Sequence, residues 1–253
     1  MPIIRKYDHL FFDLDNTLWD FDVNARLALQ QAIADIGLRS QVPDFNSFFS
    51  FFEKTNNNLW EAYRKQEIRQ SELVLKRFEI IIDHFGLTGI SPETINNQYL
   101  HLMPEYNHLV EGAIETLDYL KGEGYHLHII TNGLSAVQNE KVKKSGLAPY
   151  FKKVFASEDI NAPKPDKRIF RYALMSCNAK KSKSMIIGDG WETDIAGARE
   201  MSIDHVFFIK NEKKAVIPPE IQKDTAKNIH LRVSTPRKNY YTIKNLIQLK
   251  EIL

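Results

Sequence analysis

The sequence predicts an α/β protein, a doubly wound parallel sheet interrupted by a small all-helical insert. Three observations carry this. Short apolar runs end on acids, a hydroxyl or an amide at Asp13, at Thr131-Asn132 and at Asp189. Helical patterns alternate with such runs after Pro104, as in parallel sheets joined by right-handed crossovers. Before Pro104, about eighty residues from Asp22 to Met103 show helical spacing and no strand pattern.

His9 to Asp13 reads as a short buried strand, apolar without alternation because both faces are covered. Val23, Leu27, Leu29, Ile33 and Ile36 recur at helical spacing and stop at Gly37. Asp44 is a cap candidate for a second helix through Phe45, Phe48, Phe49 and Phe52. A third runs from Ser71 to Gly86, and Ser91-Pro92-Glu93 starts a fourth with a cap, a first-turn proline and an early acid. Beyond Pro104 the order is helix 113–120, strand 125–130, helix 137–145, strand 153–157, helix 166–177, strand 185–188, helix 194–201 and strand 205–209. Residues 210–237 read as a polar surface loop or partly ordered tail, and Ile243, Leu246, Ile247, Leu249 and Ile252 as a last amphipathic helix. Residues 1–20 and 105–253 are therefore expected to form the α/β core and 21–104 a helical domain inserted after the first strand.

Composition bounds the function. A chain of 253 residues, 43% hydrophobic and 26% charged, buries a sizeable core and is not generally disordered. Its net charge of +2 gives no electrostatic footprint for duplex DNA or an anionic bilayer, so neither a nucleic acid polymer nor a membrane is an expected partner. Cys177 is the only cysteine, which excludes an intramolecular disulfide and fits a reducing compartment. The expected setting is cytoplasmic, because no signal-peptide pattern or spanning segment is present. A monomer or weak homodimer is expected.

Ligands of open α/β sheets bind beyond the carboxyl ends of the strands, so the strand ends are compared as a set. Asp13 and Asp15 are like charges one residue apart, and a divalent cation with oxygen ligands, Mg2+ above all, is the expected neutraliser. The second strand adds Thr131 and Asn132, a later one adds Asp189 with Asp194 close behind, and Lys164 stands between two prolines. Each piece alone also suits an ordinary turn or a solvated lysine. Together they supply what phosphoryl transfer to a carboxylate needs: nucleophile, acid/base, metal cradle, phosphate donors and a cation.

Asp13-Leu14-Asp15-Asn16-Thr17, Thr131-Asn132-Gly133, Lys164-Pro165 and Gly188-Asp189-Gly190-Trp191-Glu192-Thr193-Asp194 resemble the four ordered motifs of the haloacid dehalogenase superfamily. The likeness implies a Rossmann-like core, with the insert as that superfamily's helical cap. The stretch from Asp13 to Phe21 and the cap length look most like the pyrimidine 5'-nucleotidase branch.

The resemblance implies that Asp13 attacks phosphorus to form an aspartyl-phosphate. Asp15 would protonate the leaving alkoxide, then help deprotonate water, and its backbone carbonyl would bind Mg2+. Asp189 would ligate the metal, with Asp194 or Glu192 in support. Thr131, the Asn132 amide with Gly133, and Thr17 would hold phosphoryl oxygens, and Trp19 would sense the substrate. Dehalogenases lack the second aspartate of the first motif, so Asp15 argues for phosphate esters. The expected substrate is a small phosphate ester, a nucleoside 5'-monophosphate, with sugar-phosphate or phosphoglycolate hydrolysis, phosphomutase chemistry and non-catalytic phosphate binding as alternatives. The aromatic set Phe45, Phe48, Phe49, Phe52, Trp60 and Tyr63 is either helical core or, in part, a stacking surface for a base.

Overall fold

The computed structural model describes residues 6–42, 44–212, 233–235 and 238–253. Among them a seven-stranded sheet runs in the order β3-β2-β1-β4-β5-β7-β6. Its strands are β1 (His9–Phe12), β2 (His126–Thr131), β3 (Phe151–Ala156), β4 (Ser184–Gly188), β5 (Asp204–Phe208), β6 (Val233–Thr235) and β7 (Lys238–Ile243). All neighbours pair in parallel except β6 with β7. The chain leaves β1 toward β2 and β3, then returns to the other side of β1 with β4. β1 thus lies at the point where strand order reverses, where a crevice opens beyond the strand ends.

Cα proximity divides the chain into two compact units, Met1–Asp20 with Leu109–Leu253 and Phe21–His108. The second is helical: α1 (Phe21–Asp35), α2 (Phe45–Arg64), α3 (Gln70–Phe85) and α4 (Pro92–Leu102). Asp44 caps α2 by accepting the Asn46 N–H, and Ser91 caps α4 by accepting that of Thr94. Gly86 ends α3 at φ +60°, a backbone state that disfavours any side chain. Phe48, Phe52, Phe78 and Tyr99 fill the interior of this unit. The buried Arg77 guanidinium lies 5.0–5.9 Å from the rings of Phe52, Phe78 and Tyr99 and donates to Asn56 Oδ1 and Asn96 Oδ1. Burial alone pulls its pKa down to about 10. Phe48, Phe52 and Tyr63 are thus core rather than stacking surface, while Phe45 and Phe49 take the Arg26 guanidinium over their rings.

The α/β unit carries α5 (Ala113–Gly122), α6 (Ser135–Lys144), α7 (Lys167–Ser176), α8 (Ala196–Met201) and α9 (Leu249–Ile252). One core cluster joins Phe11, Ile130, Phe155, Ile169, Phe170, Ile186, Ala198 and Met201 across the sheet. Within it, a Cβ added to Gly197 would lie 2.2 Å from the Phe170 ring. Gly197→Ala is therefore expected to destabilise despite its gain in helix propensity, by about 1–2 kcal/mol. Thermal melting is the check, at about 2–4 °C lost per kcal/mol for a chain of this size; an unchanged or higher melting temperature would refute the close packing.

Two expectations need correction. The stretch 210–237 is not all loop, since Val233–Thr235 pairs antiparallel with β7; residues 213–232 and 236–237 lie outside the described set. The last helix is shorter than its apolar spacing suggests. Ile243 closes β7, Leu246–Gln248 is a single 3-10 turn, and α9 spans four residues. In Lys238–Ile243 a strand beside the polar stretch escaped notice, because Tyr240, Tyr241 and Thr242 are strand formers that carry polar groups. Among the described residues no helix is long and apolar enough to cross a membrane.

Candidate active site

Parallel register brings three strand ends level. Phe12 pairs with Ile129 of β2 and Ile187 of β4, so Asp13, Thr131 and Asp189 emerge on one rim. The Asp13 N–H still donates to the Ile187 carbonyl at 2.8 Å, which fixes the residue as a continuation of the sheet.

Lys164 reaches this rim from the loop before α7. Its buried ammonium donates to Asp13 Oδ1 at 2.6 Å, to Asp194 Oδ1 at 2.6 Å and to the Ile130 carbonyl at 2.8 Å. All three N–H donors are thereby used. Asn132 secures the loop, donating from Nδ2 to the Lys164 carbonyl and accepting the Lys164 N–H on Oδ1. Asp194 arrives through one π-helical turn, Trp191–Ile195, which folds it back beneath β4. Gly188 permits that approach, because a Cβ there would lie 2.5 Å from the Asp194 carboxyl. Asp194 Oδ2 accepts the Gly190 N–H, while Glu192 is exposed; of these two acids Asp194 is the one that meets Lys164.

Asp13, Asp189 and Asp194 bring carboxylate oxygens within 4.8 Å of one another. Burial, with Asp194 and Asp15 adding to it against the pull of Lys164, raises the Asp13 pKa to about 7. Burial, with Asp13 and Asp194 adding to it, holds Asp189 well above the usual carboxylate range. Burial would lower Lys164, but Asp13 and Asp194 outweigh it and keep its ammonium above the lysine range. Two of the three carboxylates thus hold one ammonium and the third lies alongside, a largely buried set of hard oxygen donors with negative charge in excess. That donor chemistry fits a small divalent cation such as Mg2+.

Asp15 goes elsewhere. Its Oδ1 accepts from Lys141 Nζ at 2.7 Å and its Oδ2 from Gln138 Nε2 at 2.9 Å. Gln138 Nε2 also donates to Thr131 Oγ1 at 2.7 Å, which accepts the Gly133 N–H too. With both lone pairs taken, the Thr131 hydroxyl has only its hydrogen to offer a ligand. Gly133 has no room for a Cβ, since the Gln138 side-chain amide would lie 2.5 Å from it.

Thr17 and Trp19, two residues expected at the ligand, are both buried. Thr17 is fully buried; its hydroxyl donates to Asp189 Oδ1 at 3.3 Å and accepts the Asp189 N–H at 3.1 Å, so it braces that acid. Trp19 is also fully buried, with Lys141 Nζ 4.0 Å from a ring centroid, so it supports the lysine. Sequence reasoning missed Gln138, Lys141 and Lys210. The last donates to Asn16 Oδ1 and Asp20 Oδ1 and staples the turn after β1, in which Asn16 takes φ +62°. The signal for the first two was their i,i+3 spacing on the helix that follows Thr131.

Comparisons with known proteins show the family. The chain is 32% identical over 203 residues to the pyrimidine 5'-nucleotidase PynA of Streptococcus pneumoniae, covering 80% of this chain and 84% of that one. It is 32% identical over 193 residues to the pyrimidine 5'-nucleotidase YjjG of Escherichia coli, covering 76% and 81%. The crystal structure of the HAD-hydrolase YfnB from Bacillus subtilis, described as bound to magnesium, superposes with a TM-score of 0.81 at 27% identity over 98% of this chain and 99% of that one. The model of the haloacid dehalogenase-like hydrolases matches residues 7–201, and the chain belongs to that family.

Proposed function

We propose that the protein is a Mg2+-dependent phosphomonoesterase that works through an aspartyl-phosphate and acts on nucleoside 5'-monophosphates, pyrimidine nucleotides foremost. The observation that carries the chemistry is the Lys164 ammonium bridging Asp13 and Asp194 at 2.6 Å each, with Asp189 alongside and Asp15 held apart by its own donors. The nucleotide reading is supported by the 32% identity to PynA and YjjG.

Asp13, Asp189 and the Asp15 backbone carbonyl would hold the metal, with Asp194 supporting from behind through Lys164 and Gly190. Bound there, Mg2+ supplies charge neutralisation for the carboxylates and for the phosphoryl oxygens. With Asp13 Oδ1 held by Lys164, attack on phosphorus falls to Oδ2, and the ester P–O bond breaks as the Oδ2–P bond forms. Asp15 gives its proton to the leaving alkoxide and then takes one from the attacking water. That water displaces Asp13, releasing inorganic phosphate and restoring the carboxylate. The Thr131 hydroxyl donates to a phosphoryl oxygen as charge builds.

Phosphate release from UMP, dUMP, dTMP, AMP, ribose 5-phosphate and phosphoglycolate, compared by kcat/KM, tests the reading. A pyrimidine nucleotide is expected to lead, and EDTA to remove activity on every substrate. A sugar phosphate or phosphoglycolate leading by about tenfold or more, roughly 1.4 kcal/mol of discrimination, would overturn the substrate assignment while leaving the chemistry intact.

A further inference from the structure

We infer that Gln138 and Lys141 form a two-point clamp that sets the orientation of Asp15, and that both are positioning residues for proton transfer to the leaving group. This rests on the reading of Asp15 as the proton carrier. The two residues lie three apart on α6, so they project from one face of the helix. One holds each carboxylate oxygen: Lys141 Nζ at 2.7 Å from Oδ1 and Gln138 Nε2 at 2.9 Å from Oδ2. A carboxylate gripped at both oxygens cannot turn about its terminal torsion, otherwise a broad and soft one.

Neither clamp residue behaves like a surface side chain. Gln138 is 1% exposed and Lys141 2%, among residue types that are mostly exposed. The Lys141 ammonium meets both the Asp15 carboxylate and the Trp19 ring face, 4.0 Å from the ring centroid, so a cation–π contact holds it in addition to the ion pair. The Asp15 side chain keeps 27% of its surface, against 2% for that of Lys141, so its contact with a substrate comes from the side the clamp leaves open. Gln138 also ties Asp15 to Thr131 through a single amide nitrogen, at 2.9 and 2.7 Å. The proton carrier and the phosphate-binding hydroxyl are thereby set against one another through one group. The missing Cβ of Gly133 makes room for that amide, so the second motif is shaped around Gln138 as well as around phosphate.

Leaving-group dependence tests the clamp. p-Nitrophenyl phosphate and phenyl phosphate differ chiefly in how much the departing oxygen needs a proton, and kcat/KM reports the phosphorylation step alone. Wild type, Asp15→Asn, Gln138→Met, Lys141→Met and Lys141→Arg are compared, with melting curves to verify folding. In both methionine variants the phenyl to p-nitrophenyl ratio of kcat/KM is expected to fall about 10–100-fold, short of the full value of a general acid. Lys141→Arg should recover most of it. A merely structural role lowers both esters together and leaves the ratio unchanged; with a selective loss in Asp15→Asn, that result would overturn the clamp. A ratio unchanged in Asp15→Asn itself would instead overturn the reading of Asp15, and the clamp with it. If Lys141→Met does not fold, Gln138→Met, an uncharged replacement of similar length, decides alone.

Discussion

Asp13→Asn is expected to abolish phosphate release, by on the order of 10^4-fold or more, the scale of loss for a removed nucleophile, while the protein stays folded. The amide keeps the shape of the side chain and still offers Lys164 an acceptor in place of the Oδ1 contact at 2.6 Å. What disappears is the attacking oxygen and one of three carboxylates crowded around one ammonium. The sign of the stability effect follows from the raised pKa. Burial and acidic neighbours lift Asp13 from 3.8 to about 7, so its ionisation opposes folding: stability falls as the pH rises between those two values, and the full loss is present above the upper one. At pH 8 in EDTA, Asp13→Asn should melt at or above the wild-type temperature. Loss of activity with a lower melting temperature would assign Asp13 a structural role, and turnover within about 100-fold of wild type would take the nucleophile elsewhere.

The legible part of the fold was the part ruled by local chemistry. Asp44, Ser91 and Gly86 each mark a helix end because one side chain, or the lack of one, decides whether terminal backbone groups are satisfied. β1 and β2 were readable as buried runs, since both of their faces are covered, whereas β3, with Lys152 and Lys153 exposed, was readable only from its place in the alternation of helix and strand. β7 was not, because at the far side of the sheet its tyrosines and threonine mix strand propensity with polar groups, and the pattern points to no single period. The short final helix has the same origin: apolar residues at helical spacing from Ile243 to Ile252 are divided between a strand end, a 3-10 turn and a single helical turn.

Within the candidate site, the residues that stand at strand ends were readable, and those that reach it from helix flanks were not. α6 is polar over most of its length, so nothing in its pattern marks Gln138 and Lys141 among its other polar residues. Only the fold shows that this helix turns one face toward Asp15. Thr17 and Trp19 present the reverse case. Both follow the first acids so closely that substrate contact was the natural reading, yet the tight turn that returns the Leu18 and Trp19 N–H groups to the Leu14 carbonyl buries both side chains. Proximity in sequence to a nucleophile is weak evidence of contact with its substrate, because the turn decides which side chains point inward.

Lys164→Met is expected to be the most costly single change at the site, and its cost should depend on Mg2+. The lysine is the sole cation in direct contact with Asp13 and Asp194 among the described residues, and its side chain is 3% exposed. Methionine replaces its length but none of its three hydrogen bonds. Removing one partner of a buried ion pair costs about 3–5 kcal/mol, because the remaining charge is left uncompensated. Here the remainder is three carboxylates within 4.8 Å, so urea unfolding in EDTA should show a loss at the upper end of that range, and catalysis should fall by about 10^3-fold or more. A bound divalent cation would then neutralise these acids in place of the ammonium. Mg2+ should therefore raise the unfolding midpoint of Lys164→Met more than that of wild type, because at a given concentration the ligand that binds the folded state more tightly stabilises it more. Equal stabilisation of the two proteins would mean that the cation does not feel the Lys164 charge and binds away from the three acids. No stabilisation of either would remove the metal from the site.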